Sequence, residues 1–304
     1  MVMANNRATL RRIGVWAAAL GAAVCAPAQA SVTNAYYERT LMSAAGQRCN
    51  LFTPSVASAL AAGAAQARGA ALRAGTSERE LSAVEVRARA KAGVASCRSP
   101  DLITAAERVR GAFEGYSRML KMSYPGEVAS WKAERIDSRV GQVWVLSQQA
   151  QMANGSAMFG VARRDQRDSL VVVAQFDTAA RPYAARLVMR DPRRAPRAYL
   201  DNRGAAPGRA LPLSVRMAPR SASQTFLAEA RSTPDPLIAP TNGKPGLAYR
   251  FPAGAMAALS QLDPREAIQI EFLFGGEGPD RTVKALVEVG DFAAGRAFLS
   301  VAQR

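Results

Sequence analysis

Leu170-Val171-Val172-Val173-Ala174-Gln175-Phe176 decides the fold class. The run has no helical period, and its β-branched side chains suit a pleated strand. Near-continuous apolar character over so few residues predicts a strand buried in a core. Similar short runs surround it. Val143-Trp144-Val145-Leu146 and Ala157-Met158-Phe159-Gly160-Val161 come before it; stretches 184–189, 213–217, 225–230, 247–251, 268–274 and 283–289 come after. Turn signals separate them at Asn154-Gly155, Asp201-Asn202-Arg203-Gly204, Asn242-Gly243 and Gly275-Gly276-Glu277-Gly278. Strands at this spacing predict an antiparallel β-sandwich or barrel-like domain, interrupted by helices near 255–262 and 292–299.

Toward the N-terminus the period changes, and residues 34–123 read as helical. A first stretch carries Tyr37, Leu41 and Ala44 or Ala45 and closes at Cys49. Thr53-Pro54 opens a second helix and Gly75 stops it. Ser77 and Glu80 form a capping box for a third, striped by Leu81, Val84, Ala88 and Ala92. Ser99-Pro100 opens a fourth, which Tyr124-Pro125-Gly126 ends. The small side chains of the second helix predict close helix packing. The expected class is α+β, with residues 1–30 as a signal peptide, 31–128 as a helical bundle domain and 129–304 as a β-rich domain.

The signal reading rests on three parts. Arg7, Arg11 and Arg12 form a positive region, Ile13 to Val24 an apolar run, and Ala28-Gln29-Ala30 a small-residue cleavage site between Ala30 and Ser31. A twin-arginine signal at Arg11-Arg12 and a lipidated Cys25 are the competing readings. The apolar run falls short of the about 20 residues a membrane span needs, and no later segment reaches it. The mature chain is expected to carry no transmembrane segment and to be periplasmic, with secretion as the alternative.

The chain has a formal charge of +16 and no histidine. Removing three signal arginines leaves 37 basic against 24 acidic residues. An exported protein does not meet nucleic acid, so its expected partners are anionic envelope components or acidic proteins. Absence of histidine excludes Ser-His-Asp and Cys-His catalysis and His-ligated zinc. No catalytic residue, metal or cofactor is expected. Cys25 leaves with the signal, and the remaining pair, Cys49 and Cys97, predicts one disulfide in an oxidising compartment.

Residues 181–220 hold ten Arg against two Asp. Within them, Arg190, Arg193, Arg194 and Arg197 are the candidate anion-binding residues, because guanidinium forks pair with phosphate or carboxylate. A solvated loop in an Arg-rich chain is the competing reading. Gly275-Gly276-Glu277-Gly278 lacks the Lys and Ser/Thr of a phosphate loop and reads as a hairpin turn. Asp165, Asp168 and Asp177 could suggest a cation site but lack a fixed loop pattern; mixed with Arg163, Arg164 and Arg167, they read as surface ion pairs. Glu266 and Glu271 would form a catalytic pair only if the fold set them across a cleft.

The region from Val143 onward resembles the invasion-associated locus B family of exported alphaproteobacterial proteins. The resemblance lies in Gln142-Val143-Trp144, in Ala257-Ala258-Leu259 before Ile268-Gln269-Ile270-Glu271-Phe272, and in Val287-Glu288-Val289-Gly290-Asp291-Phe292 with Ala293-Ala294-Gly295-Arg296-Ala297-Phe298. It implies a periplasmic β-sandwich-like domain without known catalytic residues. The expected function is a non-enzymatic envelope protein binding an anionic component or a protein partner. A cell-wall-polymer hydrolase or hydrolase inhibitor, and a structural or assembly factor of the envelope, are the alternatives.

Overall fold

The computed structural model describes residues 26–179, 181–200, 211–242, 245–276 and 281–300. The charged and apolar parts of the expected signal, Cys25, the turn at 201–204, Gly243 and Glu277-Gly278 lie outside them. Among the described residues four helices come first: α1 (Ala26–Cys49), α2 (Pro54–Arg73), α3 (Glu78–Val94) and α4 (Pro100–Arg118). Then follow β1 (Lys121–Tyr124), β2 (Trp131–Glu134), β3 (Val143–Met152), β4 (Ser156–Arg164), β5 (Arg167–Gln175), β6 (Ala184–Arg190), β7 (Ser223–Leu227), β8 (Ala230–Ser232) and β9 (Leu247–Phe251). Helix α5 (Ala253–Leu259), the hairpin β10 (Ala267–Phe274) and β11 (Arg281–Glu288), and α6 (Phe292–Leu299) complete the order.

The local signals in the helical part produce the expected local structures. Ser77 Oγ accepts from Glu80 N at 3.2 Å and Glu80 Oε2 from Ser77 N at 2.8 Å, closing the capping box. Gly75, with φ +93°, takes the left-handed position that ends α2. Cys49 and Cys97 form a disulfide with Cα atoms 5.5 Å apart. It ties the end of α1 to the segment after α3. Helix α2 buries Ala59, Leu60, Ala62, Ala67, Ala71 and Leu72, so its small side chains pack on more than one side. One side meets α1; another meets α6. Ala30 and Ser31, the expected cleavage junction, both lie on α1.

Among the described residues the strands form one antiparallel sheet of eleven members, curled into a half-barrel. It is a single sheet, so the barrel-like expectation fits it better than two stacked layers. The main path runs β7-β6-β10-β11-β3-β4-β5-β9-β8, with the β1–β2 hairpin joined to β3. Hairpin β10–β11 is thus inserted between β6 and β3. Strand β3 pairs with β2 near its start, through Leu146 and Ser147, and with β11 near its end, through Gln151 and Met152. Its register with β4 shifts between Trp144 and Leu146, and such bulges bend and twist a sheet. Gly160 sits at the bulge; a Cβ there would lie 1.9 Å from the Leu146 carbonyl oxygen. The end strands β7 and β8 are consecutive in the chain. Between them Ala228 N bonds Ala185 O at 2.9 Å and Glu229 N bonds Arg250 O at 2.8 Å, so one short stretch reaches both flanks.

The concave side is filled. Leu146, Phe159, Leu170, Val172, Leu187, Phe272 and Val287 are buried in one cluster with Phe292 and Phe298 of α6. Trp131 packs edge-on to Phe292 at 5.0 Å between ring centres and donates Nε1–H to Val289 O at 2.9 Å. Each such aromatic contributes about 2–3 kcal/mol through burial.

Two expectations need correction. Residues 213–217 are not a strand: Leu213–Val215 is a single 3-10 turn after Pro212, because Arg216 turns inward to reach Glu288. The helical region stops earlier than expected. Arg135 caps α4, its Nη1 donating to the carbonyls of Tyr116, Ser117 and Met119 at 3.0–3.2 Å, and β1 begins at Lys121.

Candidate functional site

The Arg-rich segment leaves β6 as a tight loop. Arg194 N and Ala195 N both bond the Asp191 carbonyl, at 3.1 and 2.9 Å, and Asp191 Oδ1 accepts Arg193 N at 3.0 Å. This is the local turn that Asp before Pro favours. The Arg193 backbone N–H, with the Arg193 and Arg194 guanidiniums, holds the Asp191 carboxyl below its usual range.

Arg190 does not belong to the exposed group that the sequence proposed. It is buried, its Nε and Nη2 each donate to Glu266 at 2.7 Å, and its Nη1 donates to Ala195 O at 2.5 Å. Burial works against its charge, but Glu266 outweighs burial and the guanidinium is raised above its usual range. Arg190 therefore anchors the loop from beneath. A bidentate pair of this kind is directional, so it fixes where the loop leaves the sheet.

Arg193, Arg194 and Arg197 remain on the surface. Arg193 and Arg194 have side chains 86% and 61% exposed and share Asp191 at 3.3 and 3.5 Å. One carboxylate against two guanidiniums leaves an excess of positive charge. Arg197 is exposed and lines an open groove of about 1510 Å³ that also runs along the first half of α3 and past Thr33 and Asn34 of α1. Thr33 and Asn34 form one wall, and Arg79 and Arg87 stand on the exposed side of α3. The sequence reading overlooked Arg79 and Arg87. Their signal was the polar face opposite the Leu81-Val84-Ala88 stripe, where residues spaced like 79, 83 and 87 project together.

Carboxylates at the groove are engaged. Glu80 is committed to the capping box, and its backbone and side-chain bonds to Ser77 lower its pKa. Glu78 lies 2.5 Å from Arg68; burial and the nearby Asp263 still hold it above the ordinary carboxylate range. Asp263 is held below its range despite burial, because Arg265 grips it through Nε at 3.0 Å and Nη2 at 2.9 Å. Glu266 and Glu271 are held by different arginines: Glu266 by Arg190, and Glu271 by Arg186 and Arg220. The structure does not assemble them as a pair across a cleft.

Much of the charge in residues 181–220 is therefore structural. Arg186, Arg190, Arg216 and Arg220 all pair with buried carboxylates. Arg216 is the deepest. Its Nη1 bonds Glu288 at 3.2 Å and its Nη2 lies 2.7 Å from Glu127. Glu288 also accepts the backbone N–H groups of Glu127, Val128 and Ala129 at 2.8–2.9 Å. No group of His, Cys, Asp and Glu suited to a metal occurs among the described residues. No helix among them is long and apolar enough to cross a membrane. Compared with protein-family models, with curated proteins and with solved structures, the chain matches none.

Proposed function

We propose that this chain is an exported, non-enzymatic envelope protein that binds an anionic component or an acidic protein partner. The contact surface is the loop bearing Arg193, Arg194 and Arg197, continued into the groove toward Arg79 and Arg87. The observation that carries this reading is the contrast within the loop: one arginine is buried as an anchor and three are displayed by it. Displayed guanidiniums on an anchored loop suit bidentate recognition of phosphate or carboxylate. The signal reading and the resemblance to the invasion-associated locus B family agree with an envelope address. In this proposal residues 31–128 form the helical domain and residues 129–304 the β-rich domain. The hydrolase alternative requires a carboxylate placed to take or give a proton, and the carboxylates around this groove are engaged by arginines or a cap.

The test uses the chain from Ser31 and cosedimentation with envelope fractions over roughly 50–500 mM salt, a range in which screening of surface charge changes strongly. Binding at low salt that fades as salt rises is expected. The Arg193→Ser, Arg194→Ser, Arg197→Ser variant is expected to lose it. Equal binding by that variant would remove the loop from the proposal, and no sedimentation at low salt would end it.

A further inference from the structure

We infer that the convex face of the sheet carries a second binding site, a cleft that takes a single acidic sugar unit. The cleft has a volume of about 470 Å³ and lies over β5, β9 and β8, beside the turn from β4 to β5. That size falls in the range of about 300–1,000 Å³ usual for small-molecule sites.

Three arginines define it. Arg164 and Arg167 are direct register partners across the β4–β5 hairpin, on the same face of the sheet as Ser169 and Val171. Like charges placed opposite one another destabilise a hairpin. The turn itself does not need them, since Asp165 and Gln166 close it with φ of 49° and 62°. Arg167 is exposed and forms no ion pair among the described residues. Arg164 reaches Asp165 only at 3.7 Å, and the third arginine, Arg250, reaches Glu229 only at 3.9 Å. All four of those side chains are more than half exposed, so both contacts are weak. An anion between the guanidiniums relieves the repulsion that the fold leaves in place.

The remaining lining selects the kind of anion. Asp165 and Asp235 line the cleft with the three arginines, so the lining carries one net positive charge. That matches a monocarboxylate better than a doubly charged phosphate. The hydroxyls of Ser169, Ser232 and Thr233 line the cleft and form no side-chain hydrogen bond among the described residues. They complement the hydroxyls of a sugar. At its base Val171 and Ala248 are buried in a small cluster with Ile238, and Trp144 packs at its border, so the base is firm but exposes little apolar area. Charge at one edge and hydroxyl partners around it together describe a small hydroxylated acid, and a sugar acid has that chemistry. This site is separate from the Arg193–Arg197 loop and does not rest on the function proposed for it.

The experiment is a calorimetric titration of the full chain with glucuronate, against acetate, glucose and inorganic phosphate at the same low salt. Glucuronate is expected to bind at least about tenfold more tightly than each of the other three. Arg167→Gln, in an exposed turn, is expected to weaken glucuronate about tenfold, and Arg250→Gln by a similar factor. Thermal unfolding checks that each variant is folded, and Arg167→Gln alone decides the matter if Arg250→Gln does not fold. The Arg193→Ser, Arg194→Ser, Arg197→Ser variant is expected to bind glucuronate unchanged. Acetate equal to glucuronate would reduce the site to an adventitious ion. Phosphate binding more tightly, no saturable glucuronate binding, or an unaltered Arg167→Gln titration would each overturn the inference.

Discussion

Arg190 and Arg193 stand three residues apart and do opposite things. Arg190 is buried against Glu266 and carries no charge outward; Arg193 is 86% exposed and shares its carboxylate with Arg194. Burying a charge costs several kcal/mol of hydration, which only a well-aligned partner offsets. A surface guanidinium keeps its water and is worth about 0–1 kcal/mol in a pair. The difference teaches that clustered arginines in a sequence do not constitute one site. Here they divide into a group that holds the fold together and a group that the fold displays.

The deepest member of the first group gives the largest expected effect. Glu288→Ala leaves Arg216 buried with a partner missing and strips three backbone N–H groups of their acceptor, so a loss of about 3–5 kcal/mol is expected in urea unfolding. A loss below about 1 kcal/mol would mean that the buried pairs behave like surface ones. Arg190→Met comes next, at about 3 kcal/mol, because it strands Glu266. The double change Arg190→Met with Glu266→Leu is expected to recover most of that stability while leaving the Arg loop unanchored and more sensitive to protease.

Gly69→Ala tests the contact between α2 and α6. Alanine is better than glycine in a helix by about 1 kcal/mol. Its Cβ, however, would lie 2.2 Å from Asp291 Oδ1, the carboxylate that Arg73 holds at 2.8 and 2.9 Å. Overpacking costs about 1–3 kcal/mol, so a net loss near 1 kcal/mol is expected in thermal unfolding. Arg193→Ser with Arg194→Ser is expected to shift stability by no more than about 0.5 kcal/mol. A larger change by the same unfolding assay would place these two in the structural group.

The smallest effect concerns pH. Glu78 titrates above its ordinary value of 4.5, so its contribution to stability is present below the unfolded value and is lost as pH rises through the folded one. Glu78→Gln is expected to remove that decline, seen as a flatter stability curve as pH rises above the ordinary value of 4.5. Asp263 acts in the opposite sense. Its folded value is lowered, so its contribution is present above the unfolded value and fades as pH falls.

What the sequence disclosed follows the range of the interactions. Capping at Ser77 and Glu80, the stop at Gly75 and the hairpin at Asn154-Gly155 are local, and all three were legible. The strand from Leu170 was legible because its β-branched run needs no partner to be recognised. The Cys49–Cys97 pairing followed from the expected compartment and from parity. Strands β1 and β2 were missed because each has four residues with little alternation, and their pairing with each other and with β3 decides them. The fate of Arg190 and Arg216 was hidden because their acid partners lie 76 and 72 residues away. A guanidinium that will be buried and one that will be displayed look alike until the sheet brings those acids into place.

The insertion of β10–β11 between β6 and β3 has a kinetic consequence. Strands β3, β4 and β5 pair locally, but β6 cannot join them through β3 until residues 267–288 fill the gap, so completing the sheet needs contacts far apart in the chain. Such topologies fold slowly, since loop-closure entropy is lost before the distant contacts form. A chain made or threaded from its N-terminus therefore has no closed sheet while that late hairpin is still behind it. In the exported role proposed above, the same topology would delay folding until the chain is nearly complete.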